Sequence, residues 1–262
     1  MLRQLVLIDR VRELCAQDAR VVSALMYGSF LRGEGDAFSD VEFYLFWSEA
    51  GLDGLDREAW LGQIAPLRTC FENEFGTTVA IFDDWIRGEF HFEPRGAIAR
   101  VRSWPLTPED AEAMRILDRD GQLRDALADA ARPRPVRPTE ELASELSKRL
   151  LNWLLLGTNV LRRGEYARAL DALSQVQRFL LWLARLREGA RTHWPTPSRA
   201  AERDLSADAL ERFARCTAHL DPGALAVAYE NAWRFARDLS GDASYDAALA
   251  EVPGWLSEVS GR

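Results

Sequence analysis

The spacing of hydrophobic and polar residues changes along the first ninety residues, and each spacing predicts a helix or a strand. Apolar residues spaced three and four apart predict an amphipathic helix over residues 2–16. Two mainly apolar runs, Val21–Tyr27 and Val41–Trp47, predict buried strands. The same reasoning adds a helix over residues 55–75, and strands over 77–82 and 89–92. This order of helices and strands predicts a sheet covered by helices.

The pattern becomes wholly helical after a proline-rich segment. Prolines at 133, 135 and 138 cannot continue a helix and they stiffen the connection. We therefore predict an α+β protein with two domains. Residues 1–132 form a mixed sheet with helices, and residues 133–262 form an antiparallel helical bundle. The predicted helices of the bundle are Thr139–Arg162, 166–187, 207–220, 222–239 and 244–259.

The segment between the first two predicted strands carries the strongest chemical signal. Gly28 and Ser29 end the first strand, and such a turn lets backbone amides approach a phosphate closely. Asp40 and Glu42 open the second strand, where residues two apart project to the same face. Two carboxylates at that separation suit Mg²⁺. The segment therefore predicts a site for a nucleoside triphosphate and its metal ion.

A nucleotidyl transfer also needs a base beside the acceptor hydroxyl, and Glu89 is the candidate. If its strand neighbours Val41–Trp47, Glu89 converges with Asp40 and Glu42 and becomes a third metal ligand. His91 shares its face and is a candidate substrate contact. The competing third carboxylates are Asp83 and Asp84, in a predicted turn.

Composition narrows the class of protein. The chain has 262 residues, a formal net charge of −8 and three scattered cysteines. This acidity argues against a nucleic-acid partner, and the cysteines predict free thiols rather than disulfides or a zinc site. No apolar run reaches the roughly 20 residues that span a bilayer, and the first residues lack a signal-peptide pattern. We therefore expect a cytoplasmic protein without a membrane partner.

These motifs resemble a known family. The Gly28-Ser29 turn and Ser39-Asp40-Val41-Glu42 are similar to the signature of the polymerase-β-like nucleotidyltransferases. Within them, the stretches that resemble the LinB-type lincosamide nucleotidyltransferases are Met26-Tyr27-Gly28-Ser29-Phe30, Gly33-Glu34-Gly35-Asp36, Ser39-Asp40-Val41-Glu42-Phe43-Tyr44, Arg87-Gly88-Glu89-Phe90-His91-Phe92 and Arg163-Gly164-Glu165-Tyr166-Ala167-Arg168. The resemblance is looser after residue 186.

The resemblance implies a Mg²⁺-dependent enzyme that transfers AMP from ATP to a hydroxyl of lincomycin or clindamycin and so inactivates the drug. It implies that Asp40 and Glu42 bind the metal, that Glu89 is the general base, and that the protein is a homodimer. Arg163 and Arg168 flank a predicted helix–helix turn. They are either charges beside a capping glycine or guanidinium groups that bind the triphosphate.

Three alternatives stay open on sequence grounds. An aminoglycoside nucleotidyltransferase would have the same chemistry and a different acceptor. A toxin–antitoxin component could use its helical half as an RNase, since Arg187 with His193 and Arg212 with His219 have the spacing of such sites. The third alternative is a binding module with a relic site, against which Asp40, Glu42 and Glu89 argue.

Overall fold

A computed structural model describes residues 1–132 and 139–240, which fall into two compact units, Met1–Arg134 and Pro135–Arg262. The predicted boundary between residues 132 and 133 lies beside the undescribed segment and stays a prediction. The predicted helix 244–259 lies outside the described residues. Both units have the predicted contents, a mixed sheet with helices and a set of helices, so the α+β class is confirmed.

The first unit is built on a six-stranded sheet. Its strands are β1 (Val21–Tyr27), β2 (Val41–Trp47), β3 (Leu67–Glu72), β4 (Thr78–Phe82), β5 (Arg87–Pro94) and β6 (Arg115–Asp118). Their order across the sheet is β3-β4-β5-β2-β1-β6. The pairing of β2 with β5 is parallel and the other pairings are antiparallel, so the sheet is mixed. Strands β2 and β5 occupy the centre, where their apolar residues Phe43 and Phe90 are fully buried.

Helices cover the two faces of this sheet unequally. Those of the first unit are α1 (Arg3–Gln17), α2 (Glu49–Leu52), α3 (Arg57–Leu61), α4 (Ile98–Val101), α5 (Pro108–Met114) and α6 (Gln122–Ala130). Helices α1 and α3 pack on one face over a core that includes Phe43 and Phe90. Helices α4, α5 and α6 pack on the other face around Leu25 and Phe46. Beyond this second core, the same face carries polar side chains of β1, β2 and β5.

The predicted helix over residues 55–75 is wrong. Helix α3 ends at Leu61, and the chain then forms strand β3. Leu67 and Phe71 fit a helical period, but they pair with Phe82 and Val79 of β4. Pro66 also lacks the amide that a continuing helix would need. Strand pairing, which the local pattern does not contain, therefore outweighs helical spacing here. Strand β6 is a further element that the sequence pattern did not predict.

The second unit consists of α7 (Thr139–Arg162), α8 (Tyr166–Glu188), α9 (Ala201–Asp204), α10 (Ala207–Ala214) and α11 (Pro222–Ser240). The prediction for residues 207–220 is too long, since α10 ends at Ala214. The Thr217 hydroxyl donates to the Ala214 carbonyl at 2.7 Å, and the Asp221 side chain accepts from the Ala224 amide at the start of α11. These polar side chains offer the backbone local partners outside a helix.

No helix in the described part of the chain is long and apolar enough to span a membrane.

A buried ionic cluster stabilises the loop after α8. The Arg185 side chain is fully buried and donates to carbonyl oxygens of Pro197 and Ala190 and to the Asp204 carboxylate at 3.0 Å. His193 Nδ1 lies 2.5 Å from the same carboxylate. Hydrogen bonds from His193 and Arg185, which outweigh burial, hold the pKa of Asp204 below its usual range. The cluster fixes residues 190–204 against α8.

Replacing Arg185 with methionine is therefore expected to destabilise the protein by about 3–5 kcal/mol, because Asp204 and several carbonyl groups would lose their buried partner. Chemical denaturation measures this free energy of unfolding. Arg178→Met is the matched control, since Arg178 is an exposed arginine of the same helix. If the two variants unfold at the same denaturant concentration, the cluster does not stabilise this loop.

Candidate active site

The pairing of the strands brings the predicted acidic residues together at one end of β1, β2 and β5. Tyr27 pairs with Glu42 across β1 and β2, and Glu42 pairs with Glu89 across β2 and β5. Their neighbours Phe43 and Phe90 point into the core on the opposite face. Tyr27, Glu42 and Glu89 therefore form a row on the less covered face. The predicted proximity of the Glu89 strand to β2 is confirmed.

Arg87 connects two of the predicted carboxylates. Its Nη1 lies 2.6 Å from Asp40 Oδ2, and its Nη2 donates to Glu89 Oε1. Burial lowers the pKa of Arg87, but the hydrogen bonds to Glu89 and Asp40 outweigh this effect and raise the pKa above its ordinary value. The Arg87 guanidinium therefore places a positive charge between the carboxylates of Asp40 and Glu89.

A series of hydrogen bonds through Tyr27 and His91 orients the second carboxylate oxygen of Glu89, Oε2. The Tyr27 hydroxyl donates to Glu89 Oε2 at 3.1 Å, and His91 Nε2 lies 3.0 Å from the same hydroxyl. The hydroxyl has one proton, so His91 donates to Tyr27 when Tyr27 donates to Glu89. Burial lowers the pKa of His91, which favours its neutral form, and it raises the pKa of Tyr27 together with the charges of Glu89 and Glu42. His91 also stacks on Tyr44, with ring centroids 3.8 Å apart.

The turn after β1 brings the backbone unusually close to Glu42. Gly28 has a left-handed conformation, with φ of 85°, and a Cβ atom at this position would lie 1.4 Å from Glu42 Oε2. Ser29 follows and is 8% exposed, and its side chain makes no capping hydrogen bond. Its carbonyl accepts from the amides of Arg32 and Glu34 instead. The turn therefore depends on backbone bonds and on the missing side chain of Gly28.

Gly28→Ala is expected to lose most activity, because the added methyl group must displace the Glu42 carboxylate. Gly54→Ala is the matched control, since Gly54 also has positive φ, of 67°, but has no atom within 4 Å of the added Cβ. Both variants carry a backbone strain of about 1–2 kcal/mol, measurable as a lowered thermal midpoint. Only Gly28→Ala should also lower turnover. Equal turnover in the two variants would show that the approach to Glu42 is not needed.

The loop that delivers Asp40 is held from two sides. Ser39 Oγ donates to Asp36 Oδ1 at 3.0 Å and accepts from the Asp36 amide. The buried side chain of Gln4, on α1, donates to the carbonyls of Ala37 and Ser39. The motif residues Asp36 and Ser39 therefore shape the loop, and Gln4 attaches it to the first helix.

The acidic residues suit a metal ion by their chemistry. Carboxylate oxygens are preferred ligands of Mg²⁺, and Asp40 and Glu89 already share one cationic partner, Arg87. Within residues 1–132 and 139–240, no three His, Cys, Asp or Glu side chains are close enough together to form a metal-binding group as they stand. The ligand set of Asp40, Glu42 and Glu89 therefore stays a prediction.

Other residues considered from the sequence lie in different settings. Asp84, one of the competing carboxylates, pairs with Arg3 at 2.9 Å, and Asp83 contributes its backbone carbonyl to Arg68. Both arginines lie in the second unit, Arg163 in the turn between α7 and α8 and Arg168 in the first turn of α8. Arg168 Nη1 pairs with Glu165 at 3.2 Å. Their assignment to the nucleotide stays a prediction.

The RNase alternative fits the helical unit poorly. His193 is 1% exposed and is held by Asp204. Arg212 and His219 do not share a helix, because α10 ends at Ala214. Arg187 donates instead to the Asp238 carbonyl. Neither spacing therefore produces an exposed arginine–histidine pair on one helix.

Two important contacts escaped the sequence reasoning. These are the contacts that Tyr27 and Arg87 make with Glu89. The signal for Tyr27 was its place on the same strand face as Glu42, which only the register between β1 and β2 reveals. The signal for Arg87 was the alternation of side chains along β5, which places Arg87, Glu89 and His91 on one face.

Comparison with known proteins supports the family resemblance stated from sequence. Residues 139–251 match the family model described as the C-terminal domain of lincosamide nucleotidyltransferase-like proteins. The resemblance stated from sequence is thereby confirmed, and the match supports nucleotidyltransferase activity. No curated protein matches the chain.

Two solved structures show distant similarity. One is an aminoglycoside 6-adenyltransferase from Bacillus subtilis, at 14% identity and a TM-score of 0.40, covering 100% of this chain and 97% of that one. The other is a nucleotidyltransferase-like protein from Exiguobacterium sibiricum, at 15% identity and a TM-score of 0.39, covering 91% and 76%. Both TM-scores are below 0.5, so neither similarity carries an argument about this chain.

Proposed function

This chain carries a lincosamide nucleotidyltransferase-like C-terminal domain, and from that premise we propose that it is a Mg²⁺-dependent adenylyltransferase of lincosamide antibiotics. It would transfer AMP from ATP to a hydroxyl of lincomycin or clindamycin and so inactivate the drug. The single observation that carries the reaction is the row of Glu42 and Glu89 on paired strands, with Asp40 joined to Glu89 through Arg87.

Glu89 would act as the general base. In the proposed step, a Glu89 carboxylate oxygen takes the proton of the acceptor hydroxyl as that oxygen bonds to the α-phosphorus. The bond between the α-phosphorus and the bridging oxygen to the β-phosphorus breaks, and pyrophosphate leaves. Tyr27 and Arg87 both donate to Glu89, so the carboxylate is oriented before the acceptor binds. Positioning and charge neutralisation supply most of the rate in this class of reaction.

Asp40 and Glu42 would hold the metal ion, with Glu89 as the third ligand. When bound, Mg²⁺ neutralises charge on the phosphates and on the departing pyrophosphate. Arg87 must release Asp40 or Glu89 for both carboxylates to bind a metal. A guanidinium group suits phosphate oxygens, so we propose that Arg87 then turns toward the nucleotide.

The nucleotide would bind at the turn after β1. Gly28 allows a close approach to the backbone there, and Ser29 lies beside it with a hydroxyl. Arg163 or Arg168 is proposed to contact the triphosphate, because a guanidinium fork suits phosphate oxygens. His91 is proposed to contact the acceptor, because its ring borders Glu89 through Tyr27.

The acceptor is tested by pyrophosphate release with lincomycin and kanamycin side by side, each with ATP and Mg²⁺. We expect release with lincomycin and none with kanamycin. Release with kanamycin alone would make the protein an aminoglycoside nucleotidyltransferase. No release with either drug, or with a broader panel of antibiotics, would favour a relic site and overturn the proposal. Light scattering tests the homodimer that the resemblance implies.

A further inference from the structure

A small cavity opens beside the acidic row, on the same face of the sheet. It has a volume of about 100 Å³. Its apolar lining is formed by Tyr44, Phe46, Ala97, Val101 and Trp104, and its polar lining by Glu93 and Arg100. Phe46, Ala97 and Val101 are buried, and the Tyr44 and Trp104 rings lie 5.0 Å apart. A 150 Å³ apolar cavity holds a benzene ring, so this one suits a smaller aliphatic group.

The cavity lies next to the proposed catalytic residues. Tyr44 lines it and stacks on His91, whose ring meets the Tyr27 hydroxyl. Strand β5 places Glu89, His91 and Glu93 on one face at successive steps of two residues. Glu93 is therefore roughly 13 Å along the strand from Glu89. One bound molecule of moderate length can reach both the proposed base and the cavity.

The charged part of the lining already holds one cation, the Arg100 side chain, beside Glu93. Glu93 pairs with Arg100, but the Arg100 side chain is 66% exposed and that of Glu93 is 23% exposed. Exposed ion pairs contribute little stability, so Arg100 can move into water at low cost. The less exposed carboxylate of Glu93 then remains beside aromatic and aliphatic walls. This combination is complementary to an apolar group that carries a protonated amine.

We propose that this cavity is the acceptor subsite, which binds a short aliphatic group attached to a protonated amine, and that Trp104 and Glu93 determine specificity there. The inference rests on the proposed adenylyl transfer for its link to catalysis. Lincomycin contains such a group, an N-methylated pyrrolidine that bears a propyl chain. The propyl chain would lie against Trp104 and Val101, and the ring nitrogen would face Glu93.

The kinetic test compares lincomycin with its analogue that lacks the propyl chain. Trp104→Ala is expected to raise the KM for lincomycin about 10-fold or more, since hydrophobic contact with several carbon atoms is lost. Trp104→Ala should change the KM for the analogue and the KM for ATP much less than the KM for lincomycin. Ala97→Leu, which fills the cavity, should give the same selective loss. Phe75→Ala is the control for an exposed aromatic residue of the same unit.

Binding without turnover separates this inference from the proposed function. Calorimetry with lincomycin and no nucleotide is expected to show weaker binding to Trp104→Ala and to Glu93→Gln than to the wild-type protein. Glu112→Gln, which removes another surface Glu–Arg pair, should bind normally. If lincomycin binds in this pattern but is never adenylylated, the subsite stands and the proposed function fails. If Trp104→Ala and Ala97→Leu affect both lincosamides equally, or leave both unchanged, the subsite is wrong.

Discussion

Asp40→Asn is expected to reduce kcat by roughly 10³-fold or more. Asparagine keeps the shape of the side chain but removes a negative charge that the proposed metal site requires. The substitution also weakens the ion pair with Arg87, where Asp40 Oδ2 lies 2.6 Å from Nη1. That pair is partly exposed, so its loss should change the free energy of unfolding by no more than about 1 kcal/mol. Turnover with saturating ATP and lincomycin measures the effect.

The matched control for this experiment is Asp9→Asn. Asp9 forms an exposed ion pair with Arg12 on α1, so the control also removes an aspartate from a surface pair of the same unit. It should retain full activity. Raising the Mg²⁺ concentration should restore part of the lost turnover if Asp40 binds the metal. An Asp40→Asn protein with wild-type kcat would show that this carboxylate is not part of the reaction.

Glu89→Gln is expected to lower kcat by roughly 10²- to 10⁴-fold, the range for loss of a general base. The KM for ATP should change only a few-fold, because glutamine keeps the shape of the side chain and its one amide oxygen still accepts a hydrogen bond from Tyr27 or from Arg87. A fall in kcat without a matching change in nucleotide affinity is the signature of a group that acts in the transition state. Steady-state kinetics with each substrate varied in turn measures both quantities.

Glu72→Gln provides the comparison for Glu89, since Glu72 is a strand glutamate paired with an arginine, Arg57. We expect no change in either constant. If Glu89→Gln instead raised the KM for ATP strongly and left kcat unchanged, Glu89 would be a nucleotide contact and the base would have to be another group. Retention of full activity would remove Glu89 from the mechanism.

The sequence predicted the central strands well because their physical signal is local. Mainly apolar runs identify β1 and β2 with the observed bounds, and the long helix α7 begins and ends where its spacing and polar flanks predict. Strand β3 was missed for the opposite reason. Leu67 and Phe71 lie four apart, as on a helix, and only pairing with β4 makes them part of a strand.

The site was predictable to the extent that it depends on spacing. The two-residue separation places Glu89 and His91 on one strand face, and the parallel register pairs Glu42 of β2 with Glu89. The Arg87 bridge and the contact of Tyr27 with Glu89 join groups that are 47 and 62 residues apart in sequence. Such contacts depend on strand order, which no local pattern of residues determines.

Mass spectrometry of lincomycin after incubation with the protein, ATP and Mg²⁺ tests the central claim most directly. The account predicts that the drug gains the mass of one adenylyl group, and that this product is nearly absent with Asp40→Asn. Unmodified lincomycin after prolonged incubation with folded wild-type protein would contradict the account.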